Sequence, residues 1–274
     1  MITWIDVKRA MEELGVTEGD SVLVHSSFKS LGETENGADT VIKGLQAAVG
    51  ESGTVIFPTL CQNDWLHVYE NWHMDAPSDV GYLTNYFRKL PGALRSNQAT
   101  HSVAAIGKHA AYITSTHGES GLRHGIYGDT PFSADSPWEK MYELDTKVLF
   151  IGCWIRSCTF RHLAEYQFMQ RQQERVKGHP RAKELIDRIW CYERWEDRGV
   201  WWHVSSLYLE ELLAAEGKVQ RTTCGNAELK LISSREFVDL ANKQMEERNM
   251  DAFFLEKMWD PQDTIKWLEE VDAL

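Results

Sequence analysis

The stretch KVLFIGCWIRSCTFRHLAEYQFM, residues 147–169, decides how the chain is read. It opens with a continuous apolar run from Val148 to Ile151, ended by Gly152, which is the pattern of a strand buried on both faces. A loop around Arg156 and Ser157 follows, and then a helical pattern that begins near Thr159. Leu163, Tyr166 and Met169 keep the three-residue rhythm of an inward face. That register puts His162 in the first helical turn and Glu165 one turn later on the same side. Buried strand, short loop and helix start together form the usual ground plan of a reaction site in an α/β protein. Partial positive charge at the helix start disfavours imidazolium, so His162 is expected to be neutral and able to accept a proton. Glu165 acts in the opposite sense, stabilising the charged ring once a proton arrives. The competing reading of the pair is a capping histidine beside a solvated glutamate.

Working outward, Thr3 and Asp6 form a capping-box pattern for a helix over residues 4–14, stopped by Gly15. SVLVHS, residues 21–26, reads as a strand, ADTVIKGLQAAV, residues 38–49, as a helix, and TVIFP, residues 54–58, as the next strand. A crossover of this length predicts a right-handed βαβ unit with parallel strands. His25, Ser26 and Ser27 therefore fall at a carboxyl strand end, the edge where ligands bind in such sheets. Serines there also serve simply to satisfy a turning backbone.

Residues 62–77, rich in aromatic and polar groups, lack a clean period and read as a long ordered loop over the site. A helix is predicted over 80–90 and a strand over 101–106, preceded by Arg95 and Ser96. The Gly- and His-bearing run 117–131 reads as loop. Ser136, Pro137 and Glu139 supply N-cap, first-turn proline and N3 acid for a helix reaching about Leu144. Beyond the central helix, 181–187 reads as a short edge segment and 189–204 as strand or loop. Trp190, Trp195, Trp201 and Trp202 there suit either core or a cleft wall. A helix over 207–216, a hairpin in 219–234, a helix over 235–248 and a last one ending near Val271 complete the chain. No repeat or linker divides it, so the reading is α/β, one domain with a central mixed, largely parallel sheet flanked by helices.

A net charge of −12 argues against nucleic acid as a partner, because phosphate contacts need basic patches. No apolar segment approaches membrane-spanning length, and the amphipathic, acidic start is not a signal sequence. Five cysteines, an odd number with no C-x-x-C, fit reduced thiols and a cytoplasmic location.

Taken together, several stretches resemble the aminoglycoside 3-N-acetyltransferase family, whose antibiotic N-acetyltransferase fold is distinct from the GNAT fold. They are VLVHSSFKSLG at 22–32, GADTVIKGLQAAVGESGTVIFPT at 37–59, PGALRSNQATHSVAAIGKHA at 91–110, SPWEKMYELDTKVLFIG at 136–152, TFRHLAEY at 159–166 and GNAELKLISSREFVDLA at 225–241. The resemblance implies transfer of an acetyl group from acetyl-CoA to an amine of an aminoglycoside or related amino sugar, the chemistry of antibiotic resistance. It maps the family's general base onto His162 and its preceding threonine onto Thr159. The glutamate that orients the base maps loosely onto Glu196, with Glu193 next. The early H-[ST]-S motif maps the coenzyme site onto His25, Ser26 and Ser27, with Lys29, Ser30, His101 and Ser102 as neighbours. Arg95 either meets coenzyme phosphates or braces the loop.

An ammonium is not a nucleophile, so the reaction needs a base, and its oxyanion needs donors such as backbone N–H groups or the Thr159 hydroxyl. Neither an acyl-enzyme nor a metal is required. The resemblance departs at Arg156 and Cys158, where the family commonly carries an acid and an Asn, and at Gln98-Ala99, where His-Pro is usual. An arginine beside the acceptor repels a polycation, so an amine bearing anionic groups, such as a nucleotide-linked amino sugar, is the alternative acceptor. The rivals from other classes are a hydrolase with a metal held by His101, His117, His124 and Asp129, and a coenzyme binder without turnover. The first lacks any H-E-x-x-H or tight ligand cluster. The small-molecule acceptor is the expected partner, with the chain a monomer or homodimer.

Overall fold

In the computed structural model, residues 1–63, 67–117, 130–190, 199–253 and 260–274 are described. The chain runs α1 (Trp4–Glu13), β1 (Ser21–Ser26), α2 (Phe28–Leu31), α3 (Ala38–Val49), β2 (Thr54–Pro58), α4 (Val68–Asn71), α5 (Tyr82–Phe87), β3 (Leu94–Arg95), β4 (Val103–Gly107) and α6 (Ala110–Thr114). It continues through α7 (Pro137–Glu143), β5 (Lys147–Ile151), α8 (Phe160–Val176), α9 (Ala182–Asp187), α10 (Ser206–Ala215), β6 (Gln220–Cys224), β7 (Ala227–Ser233), α11 (Ser234–Glu246) and α12 (Pro261–Asp272). Three predicted helix starts are made as read. Thr3 and Asp6 close a reciprocal capping box on α1, Ser136 accepts from the Glu139 N–H at α7, and Ser233 accepts from the Glu236 N–H at α11.

Among the described residues seven strands form one sheet, in the order β3-β4-β2-β1-β5-β7-β6. It is mixed as expected, but the expectation of a largely parallel sheet is corrected. Parallel pairing is confined to β2-β1-β5 at its centre, and β4 and β7 both run antiparallel to the strands they meet. The reason lies in the connections. Parallel neighbours need a long crossover, which α3 provides between β1 and β2, whereas the loop 96–102 and the turn at Gly225 and Asn226 join β3 to β4 and β6 to β7 as hairpins, so each outer pair is antiparallel within itself.

Side chains alternate between two cores. Leu23, Ile56, Val148 and Phe150 face α7, α8, α11 and α12, while Val22, Val55, Leu149 and Ile151 face α1, α3 and α5. The run 148–151 is thus buried on both faces, as its uninterrupted apolar character requires. Trp190, Trp201 and Trp202 belong to the first of these cores, and Trp195 lies outside the described residues. Residues 181–187 are not an edge segment. They contain helix α9, because Leu185 is buried on one face while Arg181 pairs with Glu184 and Glu270 on the other. The helix predicted over 80–90 is shorter at both ends, and β4 begins at Val103 because His101 and Ser102 are spent in the preceding loop.

Gly152 joins β5 to the site. Its φ is +55°, and a Cβ there would overlap the Ser30 side chain on α2. Gly217 has φ +72° with open space around it. Gly152→Ala is therefore expected to cost about 2–4 kcal/mol, a left-handed penalty plus overpacking, and Gly217→Ala about 1–2 kcal/mol. Urea midpoints of the two variants check this; equal losses would mean that α2 yields freely to the added methyl.

Candidate active site

Helix α8 starts where β5 ends, and its capping residue Thr159 makes no side-chain cap bond. His162 is the third helical residue and lines a cleft of about 260 Å³ with His25, Ser26, Gln62, His101, Arg156, Thr159 and Arg161. Its Nδ1 lies 3.0 Å from Glu165 Oε2. Glu165 is fully buried, not solvated. Its Oε2 also accepts from the Trp201 indole N–H at 3.0 Å, and its Oε1 accepts from His203 Nδ1 at 3.0 Å and the Val204 N–H at 2.9 Å.

Four donors thus converge on one carboxylate. An ionised carboxylate can only accept, so His162 and His203 both present Nδ1–H to it. Burial alone would push the Glu165 carboxyl up, but the two imidazoles and their hydrogen bonds hold it well below the usual range. On His162 the opposite balance holds. Burial lowers its pKa most, Glu165 raises it, and Arg161 lowers it again, for a net downward shift. The ring is therefore neutral near pH 7, with Nδ1 protonated and the Nε2 lone pair accepting from Arg161 Nε at 3.3 Å. Burial is the first cause of the downward shift expected from the sequence.

His162, Glu165 and His203 offer atoms within 4.8 Å of one another, as metal ligands do. Each Glu165 oxygen already takes two N–H donors, however, so the cluster is built as a hydrogen-bond network. His117, one of the rival metal ligands, spends both ring nitrogens on Ser96 Oγ and the Pro131 carbonyl, at 2.9 and 3.1 Å. His124 and Asp129 lie outside the described residues.

His25 is buried on the α8 side of β1, stacked on Phe150 with centroids 5.3 Å apart, and its Nε2 has no hydrogen-bond partner among the described residues. Ser26 lines the cleft, Ser27 donates its N–H to Ile151 O, and Ser30 Oγ bonds the Ser27 carbonyl at 2.6 Å. Lys29 is exposed on α2. His101 lines the cleft 6.0 Å from His162, ring to ring, with Nδ1 2.7 Å from Thr100 Oγ1. Arg95 and Ser102 stand differently. The guanidinium donates to Thr59 O, Met74 O, Ala76 O and the hydroxyls of Thr59 and Ser102, an arrangement that braces the backbone at Thr59, Met74 and Ala76. Of the two readings open for Arg95, bracing is the one this geometry supports. Glu196 and Glu193 lie outside the described residues; among those described, Glu165 is the carboxylate on His162. The sequence does not mark His203 as a site residue, and it marks Trp201 only as core or cleft wall, not as a donor to Glu165. Their only sequence signal was an aromatic cluster that suits any core.

The sequence model of aminoglycoside 3-N-acetyltransferases matches residues 23–246. The SPbeta prophage-derived aminoglycoside N(3')-acetyltransferase-like protein YokD of Bacillus subtilis (strain 168) is 30% identical over 257 residues, which cover 85% of this chain and 88% of that one. The structure of aminoglycoside acetyltransferase AAC(3)-IVa apoenzyme superposes with a TM-score of 0.71 at 25% identity, covering 96% of this chain and 98% of that one. AAC-IIIb, solved as a binary with CoASH, gives 0.68 at 19% identity over 90% and 97% of the two chains, and so speaks for the fold. The fold and these matches make the protein an acyltransferase. The chain belongs to the aminoglycoside 3-N-acetyltransferase family.

The buried groups set its response to acid. Burial pushes His25 down to about 4 and His117 to about 3 from an ordinary 6.5, and it lowers His101 and His162 as well. Unfolded, these rings take up protons below about pH 6.5, while folded they do so only at lower pH, so the unfolded state binds more protons and stability is lost as pH falls. The ionised Glu165 adds a loss of the same sign at lower pH. Melting temperature is expected to fall steadily from pH 6.5 to 4. A flat profile over that range contradicts these assignments.

Proposed function

We propose that this enzyme transfers an acetyl group from acetyl-CoA directly to an amine of an aminoglycoside or related amino sugar, with His162 as general base. The observation that carries this reading is the tautomer of His162. With Nδ1–H held by Glu165, the only basic atom of the ring is Nε2, on the cleft-lining side chain. The acceptor, as the neutral amine left once its ammonium has given one proton to solvent, takes the place of the Arg161 N–H at that lone pair and gives up a second proton to it as its nitrogen attacks the thioester carbon. The new C–N bond forms, the tetrahedral oxyanion takes donors from the Thr159 hydroxyl or nearby backbone N–H groups, and the C–S bond breaks. The imidazolium, stabilised by Glu165, returns its proton to the departing thiolate. Coenzyme is taken to lie along the carboxyl end of β1, where His25, Ser26, Ser27, Lys29 and Ser30 gather. Membership of the aminoglycoside 3-N-acetyltransferase family supports both the reaction and an acetyl donor of this class.

One observation favours a second acceptor class. Arg156 and Arg161 both line the cleft, and like charges oppose a polycation there. An amine that carries anionic groups, such as a nucleotide-linked amino sugar, suits that lining better. Thiol release with acetyl-CoA and a panel holding both acceptor classes separates the two by their relative kcat/KM.

His162→Ala is expected to lower kcat about 10²–10⁴-fold while calorimetric coenzyme affinity stays near wild type. Wild-type turnover with a good acceptor would remove the base assignment. Lys29→Ala and Ser27→Ala should each weaken coenzyme binding severalfold, roughly 1 kcal/mol for a lost polar contact. Unchanged affinity in both variants moves the coenzyme away from β1.

A further inference from the structure

Two imidazoles grip Glu165, and only one of them, His162, lines the cleft. His203 lies behind the carboxylate, buried in the segment that follows Val200, with its ring 5.8 Å from that of His162. A carboxylate oxygen needs donors, but a hydroxyl or an amide would satisfy it. An imidazole at this spot does more, because charge on either ring opposes charge on the other. We propose that His203 is a positioning residue for acetyl transfer, acting through Glu165 to orient His162 and to share the carboxylate's charge with it. This rests on the reading of His162 as the base.

The physical argument has two parts. First, His203 Nδ1–H and the Val204 N–H together fix Oε1, and this leaves Oε2 aimed at His162 Nδ1. Loss of the His203 donor frees the carboxylate to rotate, and a misplaced base loses rate steeply. Second, the His203 dipole drains charge from Glu165. Without it the carboxylate binds the His162 imidazolium more tightly, so the ring holds its proton to higher pH and is less often free to act as base. Among the described residues, the other charged or titratable groups near His162 are Arg161 on its own helix, His101 from loop 96–102 and Arg156 in the same cleft lining.

His203→Leu, assayed with acetyl-CoA and the best acceptor, is expected to lower kcat/KM roughly ten- to hundredfold and to move the acid limb of its pH profile upward. His203→Asn, which keeps an N–H donor near the Nδ1 position, should recover most of the loss and return the limb toward its wild-type place. A limb unmoved in the Leu variant, or an Asn variant no better than Leu, overturns the proposal. Should the Leu variant fail to fold, nitrogen-15 spectra of histidine-labelled wild-type enzyme decide instead. They must show a proton on His203 Nδ1, and an unprotonated Nδ1 overturns the assignment. An error in the base reading shows separately, as turnover retained by His162→Ala.

Discussion

A single buried carboxylate, that of Glu165, governs the arrangement around it. A lone ion in a protein interior costs several kcal/mol, and the cost is offset only when its lone pairs are filled. Here they are filled by donors from two parts of the chain. His162 comes from the same helix, while Trp201, His203 and Val204 come from a segment near the far end of the sequence. That segment is itself tied down, by the Val204 bridge to Phe253 and by two hydrogen bonds between Trp201 and Thr264 of α12. Burying one acid therefore recruits the C-terminal third of the chain to hold one imidazole in place.

The sheet supplies the complementary side. Parallel strands β1 and β5 end side by side, so the turn after β1 and the start of α8 face the same cleft. Gly152 lets the α2 turn come close, and Arg95 spends its fork on the carbonyls of Thr59, Met74 and Ala76, which ties these residues together. Rigid strand ends, a braced loop and a locked histidine together give the preorganisation that positioning a base requires.

Much of this was legible in the sequence because local signals agreed with the tertiary outcome. β1, α3 and β2 occupy the ranges expected from apolar runs and glycine stops, and the three serine or threonine caps form as read. The His162–Glu165 spacing placed both groups on one helix side, but nothing local revealed that Glu165 is buried. Its burial depends on Trp201 and His203, more than thirty residues away, and a single sequence carries no pattern for such a contact. The antiparallel outer strands were likewise hidden, since pairing direction follows from how connections close in space. Helix α9 was lost among its charges, which turned out to be its solvent-facing ion pairs.

The account depends on Glu165 being ionised inside the protein. Infrared difference spectra between wild type and Glu165→Gln, taken from pH 7 to 5 with carbon-13-labelled glutamate, measure this directly. The account predicts a carboxylate stretch that persists unchanged across the range. A protonated carboxyl band assigned to Glu165 at neutral pH would contradict it.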